Sequence, residues 1–245
     1  MREKLRTTSQ EVIYRAGRDI VALYSRLMFH PDVVRHAPLP KGPKILASNH
    51  PTTIDPFVML TLTRERMSIL ITELAFNVPG FGQYLHLAGH IQVAREKGRA
   101  AFDQALRVLK ARHTVGIFPE GAVGRLKDED NKPRTGAVRL ALNAGVPIVP
   151  IGVHMDDKRI LYRPIGNEDF NDVARWYLRG PYAITVGQPM VFKGDVNDRD
   201  YVQDASENLM QRIGALAQES ARRIPRTPKP KGLPAGITSP LANPE

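Results

Sequence analysis

From Lys44 onward, apolar runs of four to six residues alternate with stretches of helical spacing, and this alternation constrains the fold more than any other feature of the chain. Lys44–Ala47, Met67–Ile71, His90–Val93, Thr114–Phe118, Val146–Ile151 and Tyr182–Val186 read as strands. Pro56–Arg66, Gly98–Arg112, Gly136–Asn143 and Arg199–Arg223 read as helices. Phe102, Leu106 and Leu109 share one face of the second, and Val202, Ala205, Leu209, Ile213 and Leu216 form one stripe of the last. Strands that alternate with helices predict a single α/β domain: a mostly parallel central sheet with helices on both faces. In such sheets, sites gather where strands end and helices begin.

A chain of 245 residues with 42% hydrophobic and 24% charged content can bury a substantial core. It has no cysteine, which excludes disulfides, a thiolate nucleophile and zinc–thiolate clusters and fits a reducing cytoplasm. The N-terminus, M-R-E-K-L-R-T-T-S-Q, lacks the apolar core of a signal peptide, and no run approaches the roughly 18 apolar residues of a membrane span. Thr8–Glu11 reads T-S-Q-E, a capping box that opens an amphipathic helix carrying Ile13, Ala16, Ile20, Leu23 or Tyr24, and Leu27 on one stripe. This helix either packs on the domain or meets anionic lipid, and Arg15, Arg18 and Arg26 supply the charge for the second role. Pro31, Pro38, Pro40 and Pro43 then make a connector. The expected organisation is an N-terminal helical region over 1–40, the main domain over 41–224, and a disordered tail over 225–245 holding six of the 20 prolines.

The formal charge of +10 suggests an anionic partner: nucleic acid, anionic lipid or a phosphorylated substrate. No nucleic-acid motif and no interleaving of aromatic with basic residues accompanies that charge, so nucleic acid is not expected.

Three stretches carry chemistry and a fourth accompanies them. In S-N-H-P-T-T-I-D-P-F, His50 follows a short apolar strand, and Asp55 before Pro56 has the signature of a helix N-cap. The turn between them can bring the carboxylate to one imidazole nitrogen, fixing the tautomer and leaving the other nitrogen free as a base. A turn histidine beside a capping aspartate has the same spacing. In I-F-P-E-G-A-V-G-R, a buried strand delivers Glu120 and Gly121 to the sheet edge, with Arg125 close behind: a carboxylate, a permissive glycine and a cation suited to a polar head group. G-H-I-Q-V-A-R-E-K-G sets Arg95 and Lys97 just past a strand, where a phosphate could be paired. V-P-I-V-P-I-G-V, residues 146–153, reads as wall.

Taken in chain order, the four stretches resemble the blocks of the glycerolipid acyltransferases, typified by lysophosphatidic acid acyltransferases. N-H-x-x-x-x-D is matched by Asn49, His50 and Asp55. The strand ending in arginine is matched at Arg95. F-P-E-G is matched at Phe118 to Gly121, and V-P-I-V-P at Val146 to Pro150. The resemblance covers roughly residues 40–190.

It implies an O-acyltransferase of phospholipid synthesis, peripherally bound to a membrane on its cytoplasmic side. His50 would take the proton of a lysophospholipid hydroxyl, with lysophosphatidate the usual acceptor, and Asp55 would orient it. The alkoxide-like oxygen would attack an acyl thioester without a covalent acyl-enzyme. Asn49, Arg95, Glu120, Gly121 and Arg125 would bind substrate. No metal or cofactor is implied, since acyl-CoA or acyl-carrier protein enters as co-substrate. Where the family usually has Thr-Arg after Glu-Gly, this chain has Ala122-Val123. Arg125 or Lys127 replaces the missing arginine, or the acceptor is a different lipid or glycolipid. A thioester hydrolase and a non-catalytic basic binder are the other readings. His86 and His90, four apart, form a weak metal pair, and Asp128–Asp130 an acidic loop. Trp176 and Tyr177, beside Arg175 and Arg179, suit either a lipid anchor or the inward face of a helix.

Overall fold

The computed structural model describes residues 2–94, 97–121, 123, 133–167 and 170–224, with side chains apart from those of 2–9, 166–167 and 170–172. In chain order the elements are α1 (Arg2–Met28), β1 (Asp32–Arg35), β2 (Ile45–Ser48), α2 (Asp55–Leu60), β3 (Met67–Thr72), α3 (Glu73–Phe76), α4 (Phe81–Ala88), β4 (Ile91–Val93), α5 (Gly98–Lys110), β5 (Thr114–Ile117), α6 (Gly136–Ala144), β6 (Ile148–Met155), β7 (Ile160–Asn167), β8 (Phe170–Tyr177), β9 (Tyr182–Val186) and α7 (Arg199–Arg223). Arg95, Arg125, Lys127, the acidic cluster Asp128–Asp130 and the tail from Pro225 lie outside the described residues.

The central sheet runs β1-β9-β6-β2-β5-β3-β4, and each neighbouring pair is parallel except β6 with β9. The α/β class expected from the alternation is therefore the observed one, and period-2 geometry explains its two cores. In β2, Ile45 and Ala47 face α5, α6 and α7, whereas Leu46 points to the side covered by α1 to α4. Both faces are apolar, so the strand reads as a continuous hydrophobic run. Helix α7 lies close enough to β6 that a Cβ at Gly152 would come 2.0 Å from the backbone nitrogen of Ala217. Helix α6 ends at Gly145 in the left-handed conformation, as a glycine after the last apolar turn leads one to expect.

Four expectations change. The capping box at Thr8–Glu11 lies inside α1, which already runs from Arg2. The proline-spaced connector contains β1, whose backbone pairs with β9 and makes the N-terminal region one edge of the sheet. Helix α2 stops at Leu60, short of Arg66, where the Thr61 hydroxyl donates to the Val58 carbonyl at 2.7 Å and competes with the helical bond there. Trp176 and Tyr177 stand on a strand, β8, which forms an antiparallel hairpin with β7 outside the main sheet.

Candidate active site

Strands β2 and β5 are parallel neighbours in the register Ala47 opposite Ile117. Each chain leaves the sheet at its carboxyl end, so residues at equal offsets arrive side by side: His50 lies three positions past Ala47, and Glu120 three past Ile117. The His50 backbone N–H donates to Glu120 Oε1 at 3.0 Å, and the His50 ring stacks on Phe118 with centroids 4.1 Å apart and planes 21° from parallel. These contacts fix the plane of the imidazole.

Asp55 fixes its tautomer. His50 Nδ1 lies 3.0 Å from Asp55 Oδ2, and a carboxylate there calls for Nδ1–H, which leaves Nε2 with its lone pair. Oδ2 also accepts the Thr52 backbone N–H at 2.7 Å, while Oδ1 accepts the Thr52 hydroxyl and the Tyr182 phenol, the latter at 2.8 Å. Four donors thus hold one buried carboxylate. Burial first, and then the Asp55 charge, push the Tyr182 phenol well above its ordinary range, so it keeps its proton and remains a donor. Asp55 is not the N-cap expected from the sequence. Ile54 holds that position without a side-chain bond, and Asp55 is the first helical residue, its oxygens spent on Thr52, Tyr182 and His50. Among the described residues, His50 Nε2 has no partner, and the side chain keeps 14% of its surface exposed.

The other expected site residues divide. Asn49 is adjacent to His50, but its amide is occupied: Nδ2 donates to the Val153 carbonyl at 3.0 Å and Oδ1 accepts the Val153 N–H at 2.8 Å. The side chain continues the ladder from β2 to β6 and pins the strand end from which His50 projects, a task different from the substrate contact expected of it. Glu120 is buried and serves the His50 backbone. Gly121 has φ of +76°, which a side chain would strain. It is also covered: an added Cβ would come 2.0 Å from Arg134 Nε, while the Arg134 N–H donates to the Pro119 carbonyl at 3.0 Å. A guanidinium therefore lies on the Glu-Gly turn, exposed and without a carboxylate partner among the described residues. Sequence reasoning missed Thr52, Tyr182 and Arg134. Only Thr52, three before Asp55, carried a local signal, that of a turn.

Among the described residues, no three histidine or acidic side chains gather as metal ligands. His86 packs on Phe76, and His90 is buried with Nδ1 accepting the Ile69 N–H.

A parallel sheet presenting an aspartate-oriented imidazole at its carboxyl edge is the framework of a general-base enzyme. A family model described as Acyltransferase matches residues 30–154, half of the chain and the part that contains the dyad, and the chain belongs to that family. It is similar to 1-acyl-sn-glycerol-3-phosphate acyltransferases of Pseudomonas aeruginosa (32% identical over 120 residues, 46% of this chain and 45% of that protein) and Saccharomyces cerevisiae (29% over 126 residues, 49% and 42%). The similarity spans less than half the length of each. A longer match, 28% identical over 196 residues, covers 77% of this chain and 61% of the Limnanthes douglasii protein of the same description. Among solved structures, the 1-acyl-sn-glycerophosphate (LPA) acyltransferase PlsC from Thermotoga maritima shares the fold, with a TM-score of 0.52 at 19% identity, covering 88% of this chain and 83% of that one.

Proposed function

We propose that the protein moves a fatty acyl group from an acyl thioester, carried by coenzyme A or acyl-carrier protein, to the hydroxyl of a lysophospholipid, with lysophosphatidate as acceptor, in phospholipid synthesis. The observation that carries this reading is the His50–Asp55 pair, oriented by four donors to one carboxylate and open at Nε2. His50 Nε2 takes the hydroxyl proton as the acceptor oxygen attacks the thioester carbonyl. Asp55 stabilises the imidazolium that results. The thiolate departs and recovers the proton from His50, so atoms and charge balance without an acyl-enzyme.

The acceptor's phosphate is assigned to guanidinium groups. Arg95 and Arg125 carry that role by resemblance, and Arg134 joins them because it lies on the Glu120–Gly121 turn where the family's Thr-Arg is missing. A guanidinium suits phosphate by its bidentate geometry. An amphiphilic acceptor also favours peripheral attachment to a bilayer on the cytoplasmic side. Among the described residues no helix is long and apolar enough to cross a membrane, and Ile20, Leu23 and Leu27 of α1 face solvent.

A panel of lysolipids offered with one acyl-CoA, and the products identified by mass, tests the reading. Acylation of lysophosphatidate ahead of acceptors without phosphate is expected. Equal use of neutral monoacylglycerol would contradict the phosphate assignment, and free fatty acid with no acylated acceptor would contradict transfer.

A further inference from the structure

Helix α1 meets the domain through an unusual face. Tyr14, Gly17, Ser25 and the following Phe29 turn inward, and Gly17 sits so near Tyr84 that a Cβ there would come 2.0 Å from the phenol oxygen. Ile20, Leu23 and Leu27, from the apolar stripe that the sequence left open between packing and lipid contact, are left 57–69% exposed. The hairpin β7–β8 shows the same property beside it. Leu161 and Trp176 are cross-strand partners on one face, 48% and 37% exposed, and Leu178, just past the strand, is 48% exposed. Tyr177, which the alternation turns the other way, is fully buried. Two hydrogen bonds join the two surfaces: the Tyr24 hydroxyl to the Leu178 carbonyl at 2.7 Å, and the Gly180 N–H to the Met28 carbonyl at 2.9 Å. The end of α1 that carries the exposed stripe is thus tied to the chain just past β8.

We propose that the β7–β8 hairpin is a second membrane contact, inserting Trp176, Leu161 and Leu178 into the interface of an anionic bilayer alongside α1. The occupant follows from the mixture of side chains. An exposed apolar strip that includes tryptophan and tyrosine matches the zone between headgroups and acyl chains. Exposed Arg26 and Arg179, without an ion-pair partner among the described residues, flank the junction and complement negative lipid charge. Proximity to the dyad gives the contact a purpose. The Thr53 N–H donates to the Arg175 carbonyl and the Arg175 N–H to Thr53 Oγ1, both at 2.9 Å, so β8 is sewn to the turn between His50 and Asp55. A lysolipid in the leaflet beneath Trp176 lies next to the catalytic turn. The inference extends the peripheral reading above and is independent of the acyl-transfer chemistry.

Trp176 is the only tryptophan of the chain, so intrinsic fluorescence of the unmodified full-length protein reports on the hairpin alone. Vesicles of phosphatidylcholine with phosphatidylglycerol, carrying brominated acyl chains, are expected to quench Trp176 and shift its emission to shorter wavelength. Pure phosphatidylcholine vesicles should act more weakly. Leu178→Glu is expected to lower vesicle partition about tenfold, from a lost apolar contact and an added charge, without moving the unfolding midpoint. Co-sedimentation with an unmoved, unquenched tryptophan would overturn the hairpin contact while leaving α1 as the anchor. Failure to co-sediment at all, with Trp176 responding instead to an acidic acyl-carrier protein, would overturn the contact and the peripheral reading together. Vesicle quenching in a protein that transfers no acyl group would support the contact and remove only the proposed reaction.

Discussion

Asp55→Asn isolates the charge of the dyad from its geometry. Asp55 Oδ2 accepts from His50 Nδ1 and the Thr52 backbone N–H, and Oδ1 from two hydroxyls, those of Thr52 and Tyr182. An asparagine keeps one oxygen. A backbone N–H cannot accept, so that oxygen stays toward Thr52 N–H and His50. The new amide group faces the two hydroxyls, which can rotate to accept it. The Nδ1–H tautomer of His50 is then retained, and what disappears is the negative charge under the imidazolium. At 3.0 Å and an effective dielectric of about 20, a full charge pair is worth about 5 kcal/mol. Solvent reaches part of the ring, so ~3–4 kcal/mol is the expected loss, a fall in kcat of about 10²–10³ with KM little changed. Steady-state thiol release from an acyl-CoA in the presence of lysolipid measures it. Asp55→Ala should be less stable to urea than Asp55→Asn, because it strands the Thr52 N–H and the Tyr182 phenol without acceptors, at about 1–3 kcal/mol each. A kcat for Asp55→Asn within about threefold of wild type would refute the role given to the carboxylate.

Arg134→Ala should raise KM for lysophosphatidate by about 10–100-fold, the worth of a charge-assisted phosphate bond, and leave KM for a neutral monoacylglycerol unchanged. An equal effect on both acceptors would remove Arg134 from the phosphate site. His90 supplies a pH signature. Burial, and then Arg66, lower its pKa from 6.5 to about 4. The unfolded chain therefore binds a proton between pH 6.5 and 4 that the folded chain does not, and stability falls as pH drops through that window, by about 3 kcal/mol in all. Urea unfolding from pH 7 to 4 should show this slope in wild type and a shallower one in His90→Asn, where His113, lowered by burial and then by Arg66, still contributes. A slope unchanged by the substitution would place the titration elsewhere.

Much of the sheet was legible because strands buried on both faces are runs of apolar residues: Tyr182–Val186 is observed with the bounds its pattern suggests, as is the amphipathic helix Arg199–Arg223. The hairpin was not legible. β7 carries Arg163 and Pro164, and with apolar residues exposed on both of its faces neither period stands out. On α1 the stripe alone could not choose between packing and lipid contact, since the packed face relies on Gly17, Ser25 and Tyr14 fitting against the domain, a matter of shape that hydrophobic periodicity does not record. At the site, His50 and Asp55 were legible as neighbours in sequence. Tyr182, 127 residues from Asp55, and Arg134, 13 from Gly121, were not, because Tyr182 arrives through the sheet order and Arg134 through contacts with the Pro119–Gly121 turn that sequence spacing does not record.

The most direct test is a time course of thiol release and product mass for wild type and His50→Ala, with one acyl-CoA and lysophosphatidate. Wild type is expected to release thiol and form phosphatidate one for one, and His50→Ala to lose about 10³-fold or more in kcat while unfolding at the same urea concentration. A His50→Ala protein that still forms phosphatidate at near wild-type rate would show that the proton is taken by some other group.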